Sequence, residues 1–242
     1  EIQDYILRTT EKHGIQEKTR FNAEVCGAHF DQDKALWTLD LKDGSQVVCQ
    51  HWVLASGPLH VPQIPNFPGL DRFKGKVFHS SQWDHDYDLT GKKVVSVGTG
   101  ASAIQYVPQI APEVERLTVV QRTPGWIIPR DERTYSKLTK TLFRRFPLLR
   151  KLHRVRLYWS NESRVVPIFH PRLAGLLEKV VKQFIRFQVK DKETARKLTP
   201  SYTLGCKRIM ISNRYYPTFS RDNVELFTEG VKEVRENSIV IT

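Results

Sequence analysis

Between Lys92 and Gln105 the sequence reads Lys-Lys-Val-Val-Ser-Val-Gly98-Thr99-Gly100-Ala101-Ser102-Ala103-Ile104-Gln. A short apolar strand meets a G-x-G-x-x-A turn and continues as a helical run from Tyr106 to Ile110. That order suits the pyrophosphate of a dinucleotide. Gly98 permits the tight turn, Gly100 lets the phosphates approach the backbone, and Ala103 lets the helix lie close to the strand with its first N–H groups facing the ligand. Gly98, Thr99, Gly100, Ala101, Ser102, Ala103 and Ile104 are therefore candidate cofactor-binding residues; the alternative is a tight strand–helix turn that holds nothing. A second strand, Leu117 to Val120, ends at Gln121-Arg122-Thr123, with Arg122 24 residues past Gly98. An acidic residue at that point would accept the ribose 2′-hydroxyl of NAD, whereas Arg122 can pair with a 2′-phosphate and Thr123 can add a hydrogen bond. NADP is the expected cofactor, with a merely exposed strand-end cation as the competing reading of Arg122.

Other patterns fail on their own chemistry. Asp84-His-Asp86-Tyr-Asp88 starts like a calcium loop, but Leu89 stands where Gly is needed and Val95 where Glu is needed. Gly69 to Lys76 is one residue too long for a phosphate loop, and Val77 replaces the magnesium-holding hydroxyl. The histidines show no H-x-x-x-H or H-E-x-x-H spacing and there is no G-x-S-x-G elbow, so neither a metal site nor serine hydrolysis is expected.

The elements that must position these residues fall into three stretches. From Glu1 to His13 an amphipathic helix carries Ile2, Tyr5 and Ile6 and ends at Gly14. Phe21–Val25, Ala35–Leu41 and Gln46–Leu54 then read as strands of a meander, running up to Ala55-Ser56-Gly57. Residues 1–60 thus form a β-rich unit, a proline-rich connector follows through 61–72, and 73–242 forms an α/β domain. Net charge is +12 over 242 residues. All of that excess lies between Arg130 and Lys190, which hold sixteen Lys/Arg against four Asp/Glu. The segment, about 131–200, reads as two or three helices punctuated by Pro147, Pro167, Pro171 and Pro200, with stripes Leu148-Leu152-Val155-Trp159 and Leu173-Leu177-Val180-Phe184. Such stripes are expected to pack inward with the basic faces in water; a peripheral membrane or partner contact is the alternative, and nucleic acid is not expected. Three cysteines without C-x-x-C spacing and no membrane-length apolar run point to a soluble protein of a reducing, cytoplasmic compartment.

Just before the glycine turn stands Phe73-Lys-Gly75-Lys-Val-Phe-His79-Ser-Ser-Gln-Trp83-Asp84. This resembles the F-x-G-x-x-x-H-x-x-x-W-P/D fingerprint of type I Baeyer–Villiger monooxygenases, and Trp83-Asp84 favours that branch over the related flavin-containing monooxygenases. Ala55-Ser-Gly57 is similar to the family's A-T-G hinge, Gln121-Arg-Thr-Pro124 to its NADP-reading strand end, and Gly205-Cys-Lys207-Arg208 to its G-T-K-R segment. The likeness continues through Asn213-Arg-Tyr-Tyr216 and Phe219 to Leu226.

The resemblance implies a Rossmann-like NADP-binding domain with a helical insertion, plus a β-rich remnant of an FAD-binding domain. It implies an enzyme in which NADPH reduces FAD and O₂ is then inserted beside a ketone or onto a heteroatom. It assigns Lys207 to the 2′-phosphate, Arg208 to the active site as its catalytic cation, His79 and Trp83 to coupling between nucleotide domains, and Val25 to a backbone contact with the flavin adenine. Lys207 and Arg208, on an extended segment, are expected to point to opposite faces. The FAD pyrophosphate turn and the G-G-x-W…Y-P-G…D stretch are not in this sequence, which resembles the middle of such an enzyme, so the chain alone is expected to be inactive. The rival reading is a non-catalytic NADP-binding module whose basic helices dock a partner or membrane.

Overall fold

The computed structural model describes residues 2–57, 59, 61–130 and 134–242, with the backbone alone for 164–168 and 171. Pro58 of the connector region and residues 131–133 at the start of the expected insertion lie outside the described residues. The chain divides into two compact units, Glu1–Val61 and Pro62–Thr242.

In the first unit, helix α1 (Ile2–Lys12) precedes an antiparallel meander of β1 (Val25–Asp31), β2 (Leu36–Leu41) and β3 (Gln46–Cys49). Gly14 takes φ +57°, and the N–H groups of Gly14 and Ile15 return to the carbonyls of Glu11 and Thr10, closing the helix where the sequence places its end. The first strand sits later than the apolar pattern suggests. Asn22 adopts φ +56°, which takes 21–24 out of extended geometry, and pairing begins at Val25 opposite Leu41. The following turn is fixed by the Asp31 carboxylate, which accepts from the N–H groups of Asp33 and Lys34. β3 stops at Cys49, and Trp52 leaves the ladder to pack edge-on against Trp37 at 5.4 Å.

The second unit is built on a parallel sheet of β4 (Lys93–Val97), β5 (Arg116–Val120) and β8 (Val224–Phe227), in the order β4-β5-β8. Helix α2 (Ala103–Ile110) makes the crossover from β4 to β5. A second, two-residue parallel pair joins β6 (Ile127–Ile128) to β7 (Met210–Ile211). Between them run α3 (Lys137–Arg145), α4 (Pro147–Phe169), α5 (Pro171–Gln188) and α6 (Lys192–Lys197). After β7, α7 (Tyr215–Thr218) leads into β8, and β9 (Val231–Arg235) and β10 (Ser238–Ile241) form a closing hairpin. The core follows from this layering: central β5 buries Leu117, Val119 and Val120, and α2 turns Ala103, Ile104, Val107 and Ile110 inward. Asn223 fastens the end of α2 by donating to the carbonyls of Ala111 and Val114.

The insertion departs from its sequence pattern in three ways. Its described residues form four helices where two or three are expected, and Pro167 lies within α4, two residues from its end, where little of the ladder remains to be broken. On α5 the buried residues are Ala174, Val181 and Ile185, with Leu177 and Phe184 at the rim of the core, so the inward face is rotated from the expected stripe; small Ala174 and the Phe184–Tyr216 contact set that rotation. On α4 the expected inward stripe points outward: Leu148, Leu152, Val155 and Trp159 are 47–66 % exposed. Here α3 packs on a different face of the helix, where Phe143 and Tyr135 meet His153 and the Tyr135 hydroxyl lies 2.8 Å from its Nε2.

The expected connector is not a bare tether. Leu70–Arg72 form a 3₁₀ turn, and the N–H of Val234 donates to the carbonyl of Pro68, so this stretch belongs to the second unit. Gly69, at φ +82°, faces the Val234 carbonyl so closely that a Cβ would overlap it. Gly69→Ala is expected to lower stability by about 3 kcal/mol, from left-handed strain plus backbone displacement. Urea unfolding checks this, and a loss under about 0.5 kcal/mol would mean that the connector swings clear at no cost.

Candidate functional site

At the carboxyl end of β4 the chain turns through Gly98 at φ +100°, a region open to glycine and strained for other residues. The Gly98 N–H donates to the carbonyl of Val120 at 2.9 Å, which pins the turn beside the end of β5. A Cβ built on Gly98 or Gly100 would meet nothing within 4 Å, so the space over both is open for a bulky group to approach the backbone. Ala103 is buried against the strand, as the motif requires. The first turn of α2 runs from Ser102, with Ile104 N–H reaching Gly100 O, and its preceding N–H groups face outward from the helix start.

Three chain segments converge here. The Thr99 hydroxyl donates to the Thr123 carbonyl at 3.3 Å, linking the glycine turn to the segment that carries Arg122. That segment is held from below by Gln121, which is buried, donates its backbone N–H to Phe227 O and donates through Nε2 to Lys197 O. Two residues past Thr123, Gly125 lies against the Met210 side chain, where a Cβ would overlap the methyl group, and β6 follows. Because β6 and β7 are parallel, with Ile127 opposite Met210, the residues that lead into each strand lie at the same end of the pair. Lys207-Arg208 and Arg122-Thr123 thus both precede the same end of this pair.

Lys207 is held by an aromatic support. Its Nζ lies 4.9 Å from the centre of the Tyr202 ring, and Tyr202 in turn packs edge-on against Trp126, whose indole N–H donates to Tyr202 O at 2.9 Å. Trp126 is fully buried, and the loop is tied to α5 by Glu178 accepting from the Leu204 N–H. The segment bends at Lys207 instead of running extended, because Gly205 at φ +98° and a Cys206 N–H to Thr203 O bond fold it back. Arg122 and Arg208 are both exposed and make no ion pair or side-chain hydrogen bond among the described residues. By contrast, the cleft of about 440 Å³ along β8 has its cations committed, Arg116 to Glu225 and Lys197 to Glu193. Tyr215 and Tyr216 are part of the buried core that includes α2, and burial drives their pKa values up.

The fingerprint lies across one side of this domain. Phe73 lays its ring over Gly75, where a Cβ would come within 2.5 Å of it, so this aromatic conformation needs the glycine two residues on. Lys74 pins the segment to the β9–β10 turn through its N–H to Glu236 O and its ammonium to the Glu236 carboxylate at 2.5 Å. His79 caps the short helical turn Ser80–Gln82, its Nδ1 accepting from the Ser81 N–H. Trp83 is sandwiched between Phe78 at 5.1 Å and Tyr106 of α2 at 5.3 Å, and the Tyr106 hydroxyl meets buried Ser96 of β4. Asp84 closes the run by pairing with Lys76 at 2.5 Å. The hydrogen bond from Lys76 lowers the Asp84 pKa, so the pair holds at neutral pH and lets go only as the solution falls below the ordinary carboxylate range. The fingerprint thus touches α2 directly. Val25 stands at the start of β1 in the first unit, partly exposed, next to a bulge before Gly27.

Tyr202, Trp126 and Tyr106 were not legible as site residues. Tyr106 carried one signal, its place on the turn of helix after Ala103. No His/Cys/Asp/Glu group among the described residues is arranged to hold a metal, and none of their helices is long and apolar enough to cross a membrane.

A family model described as flavin-binding monooxygenase-like matches residues 1–210. The chain is 45 % identical over 241 residues to a Baeyer–Villiger monooxygenase of Pseudomonas aeruginosa, covering 99 % of this chain and 46 % of that protein. It is 41 % identical over 240 residues to one of Streptomyces coelicolor, with the same coverages. Among solved structures, oxidised steroid monooxygenase bound to NADP superposes with a TM-score of 0.85 at 29 % identity, over 99 % of this chain and 53 % of that one. OTEMO in complex with FAD and NADP gives the same score, identity and coverages. The chain spans about half the length of the curated relatives it matches.

Proposed function

The chain belongs to the flavin-binding monooxygenase-like family, and from that premise we propose that it is the NADP-binding centre of a Baeyer–Villiger monooxygenase acting on ketones or heteroatoms with O₂. The observation that carries the reading is an open glycine turn at the carboxyl end of β4, joined through Thr99 and Thr123 to the segment that bears Arg122.

Fit to the cofactor rests on that cradle: a Cβ on either glycine would occupy the space a pyrophosphate needs, and the residues present leave it open. Gly98 to Ile104 would hold the pyrophosphate, and Arg122, Thr123 and Lys207 the 2′-phosphate. Val25 would touch the flavin adenine. When bound, FAD and NADPH supply the hydride and oxygen chemistry. The chain's own part is binding, orientation and charge. Arg208 would place a permanent cation where negative charge develops, and Trp83, its ring tilted against Tyr106, would pass movement of the fingerprint to the nucleotide helix.

Titration calorimetry with NADP and NAD tests the reading, with clear preference for NADP expected and equal affinities overturning it. The 242-residue chain alone is expected not to retain FAD or to show oxygenase activity. A yellow, FAD-saturated preparation would contradict that. Tyr202 offers a finer check. Tyr202→Leu removes the ring beneath Lys207 and is expected to weaken NADP by about 0.5–1 kcal/mol, with NAD unchanged and Tyr202→Phe restoring the affinity. Equal losses for both cofactors would make Tyr202 a packing residue only.

A further inference from the structure

Helices α3 and α4 form a surface that the dinucleotide site does not use. Over residues 137–169 they carry nine Lys/Arg and a single acidic residue, Glu162. None of their described side chains is buried. On α4, Leu148, Leu152, Val155 and Trp159 recur at four, three and four residues, which places them on one narrow face. His153, where α3 packs, is turned well over a quarter circle away from that face, so α3 leaves the stripe uncovered. Lys151 and Arg156 flank it on either side, and Arg150 and Arg154 stand further round. An exposed apolar stripe bordered by cations, with a tryptophan at one end, is the pattern of a helix that lies in the plane of a membrane interface.

We propose that α3 and α4 dock on an anionic lipid bilayer, with the Leu148–Trp159 stripe seated at the boundary between headgroups and acyl chains. Charge decides among the occupants. A second copy of the chain would set this basic surface against an equally basic one, and a polynucleotide would leave the leucines in water. A bilayer containing acidic phospholipid satisfies both faces at once: phosphates meet the lysines and arginines while the stripe is withdrawn from water. The contact is peripheral, since no described helix meets the requirements of a span. It goes beyond the oxygenase reading and stands on separate residues.

The test is flotation of the protein with vesicles of phosphatidylcholine alone or with about one-third phosphatidylglycerol. At least tenfold more protein should float with the anionic vesicles, and most of it should be released by about 1 M salt, where the screening length falls to about 3 Å. Leu152→Asp and the pair Lys151→Glu with Arg156→Glu should each remove the binding. Because these side chains are exposed, their circular dichroism and NADP affinity should match the parent. The proposal is overturned by equal flotation with both vesicle types, by failure to float, by variants that float like the parent, or by a dimer in analytical ultracentrifugation that Leu152→Asp dissolves. The last result would assign the stripe to a second copy of the chain.

Discussion

Replacing Arg208 with alanine in the whole protein is expected to abolish ester formation while NADPH oxidation stays measurable. Lys207 is fixed over Tyr202, which commits it to one side of the bend, and its neighbour Arg208 makes no ion pair or side-chain hydrogen bond among the described residues. A guanidinium placed in advance stabilises developing negative charge without reorganisation, and deleting such a group costs on the order of 10²–10³ in rate. Hydride transfer would need NADPH and FAD bound but not the Arg208 charge, so the variant should oxidise NADPH while O₂ is reduced to hydrogen peroxide and no ester forms. Lys207→Ala should do the reverse, chiefly raising the KM for NADPH. Chromatographic yield of ester measured against NADPH consumed separates the two outcomes. Near-normal ester yield from Arg208→Ala would remove it from the catalytic role.

Arg122→Ala should weaken NADP by about 1.5–3 kcal/mol, roughly a ten- to a hundredfold loss, and leave NAD nearly untouched. The size is that of one charge-assisted hydrogen bond to a phosphate, with Thr123 and Lys207 left to make the remaining contacts in the proposed site. Calorimetry with both cofactors on the same variant gives the answer. Equal weakening would mean that Arg122 supports the turn and does not read the phosphate.

What could be read from the sequence was local. Gly98, Gly100 and Ala103 declare themselves because a turn, a close approach and a close-packed helix each demand a particular small residue within six positions. Arg122 follows from the fixed length of one βαβ step. Lys207 and Arg208 came only through resemblance, because the segment that carries them joins the end of the Arg122 segment through the pairing of Ile127 with Met210, a contact across more than eighty residues with no periodicity to betray it. The α4 stripe failed for the opposite reason. Its period was real, and the helix lies as predicted, yet periodicity shows only that an apolar face exists and not what it faces. β1 began late because one residue, Asn22, took a left-handed conformation that no alternation pattern encodes.

The insertion leaves the domain through β6 and returns through β7, side by side and in register. Its two ends are thus stapled together, with Arg122 a few residues ahead of one strand of the staple and Lys207 ahead of the other. α5 and α6 contribute Val181, Ile185 and Ala195 to the core, but α3 and α4 contribute none of their described side chains. Lengthening, shortening or exchanging the stretch ahead of α5 therefore changes only the size of a closed loop, a cost that rises by about 0.6 kcal/mol per doubling. The domain carries a replaceable cassette, whose outer helices can be recast for a new surface without moving Arg122 relative to Lys207.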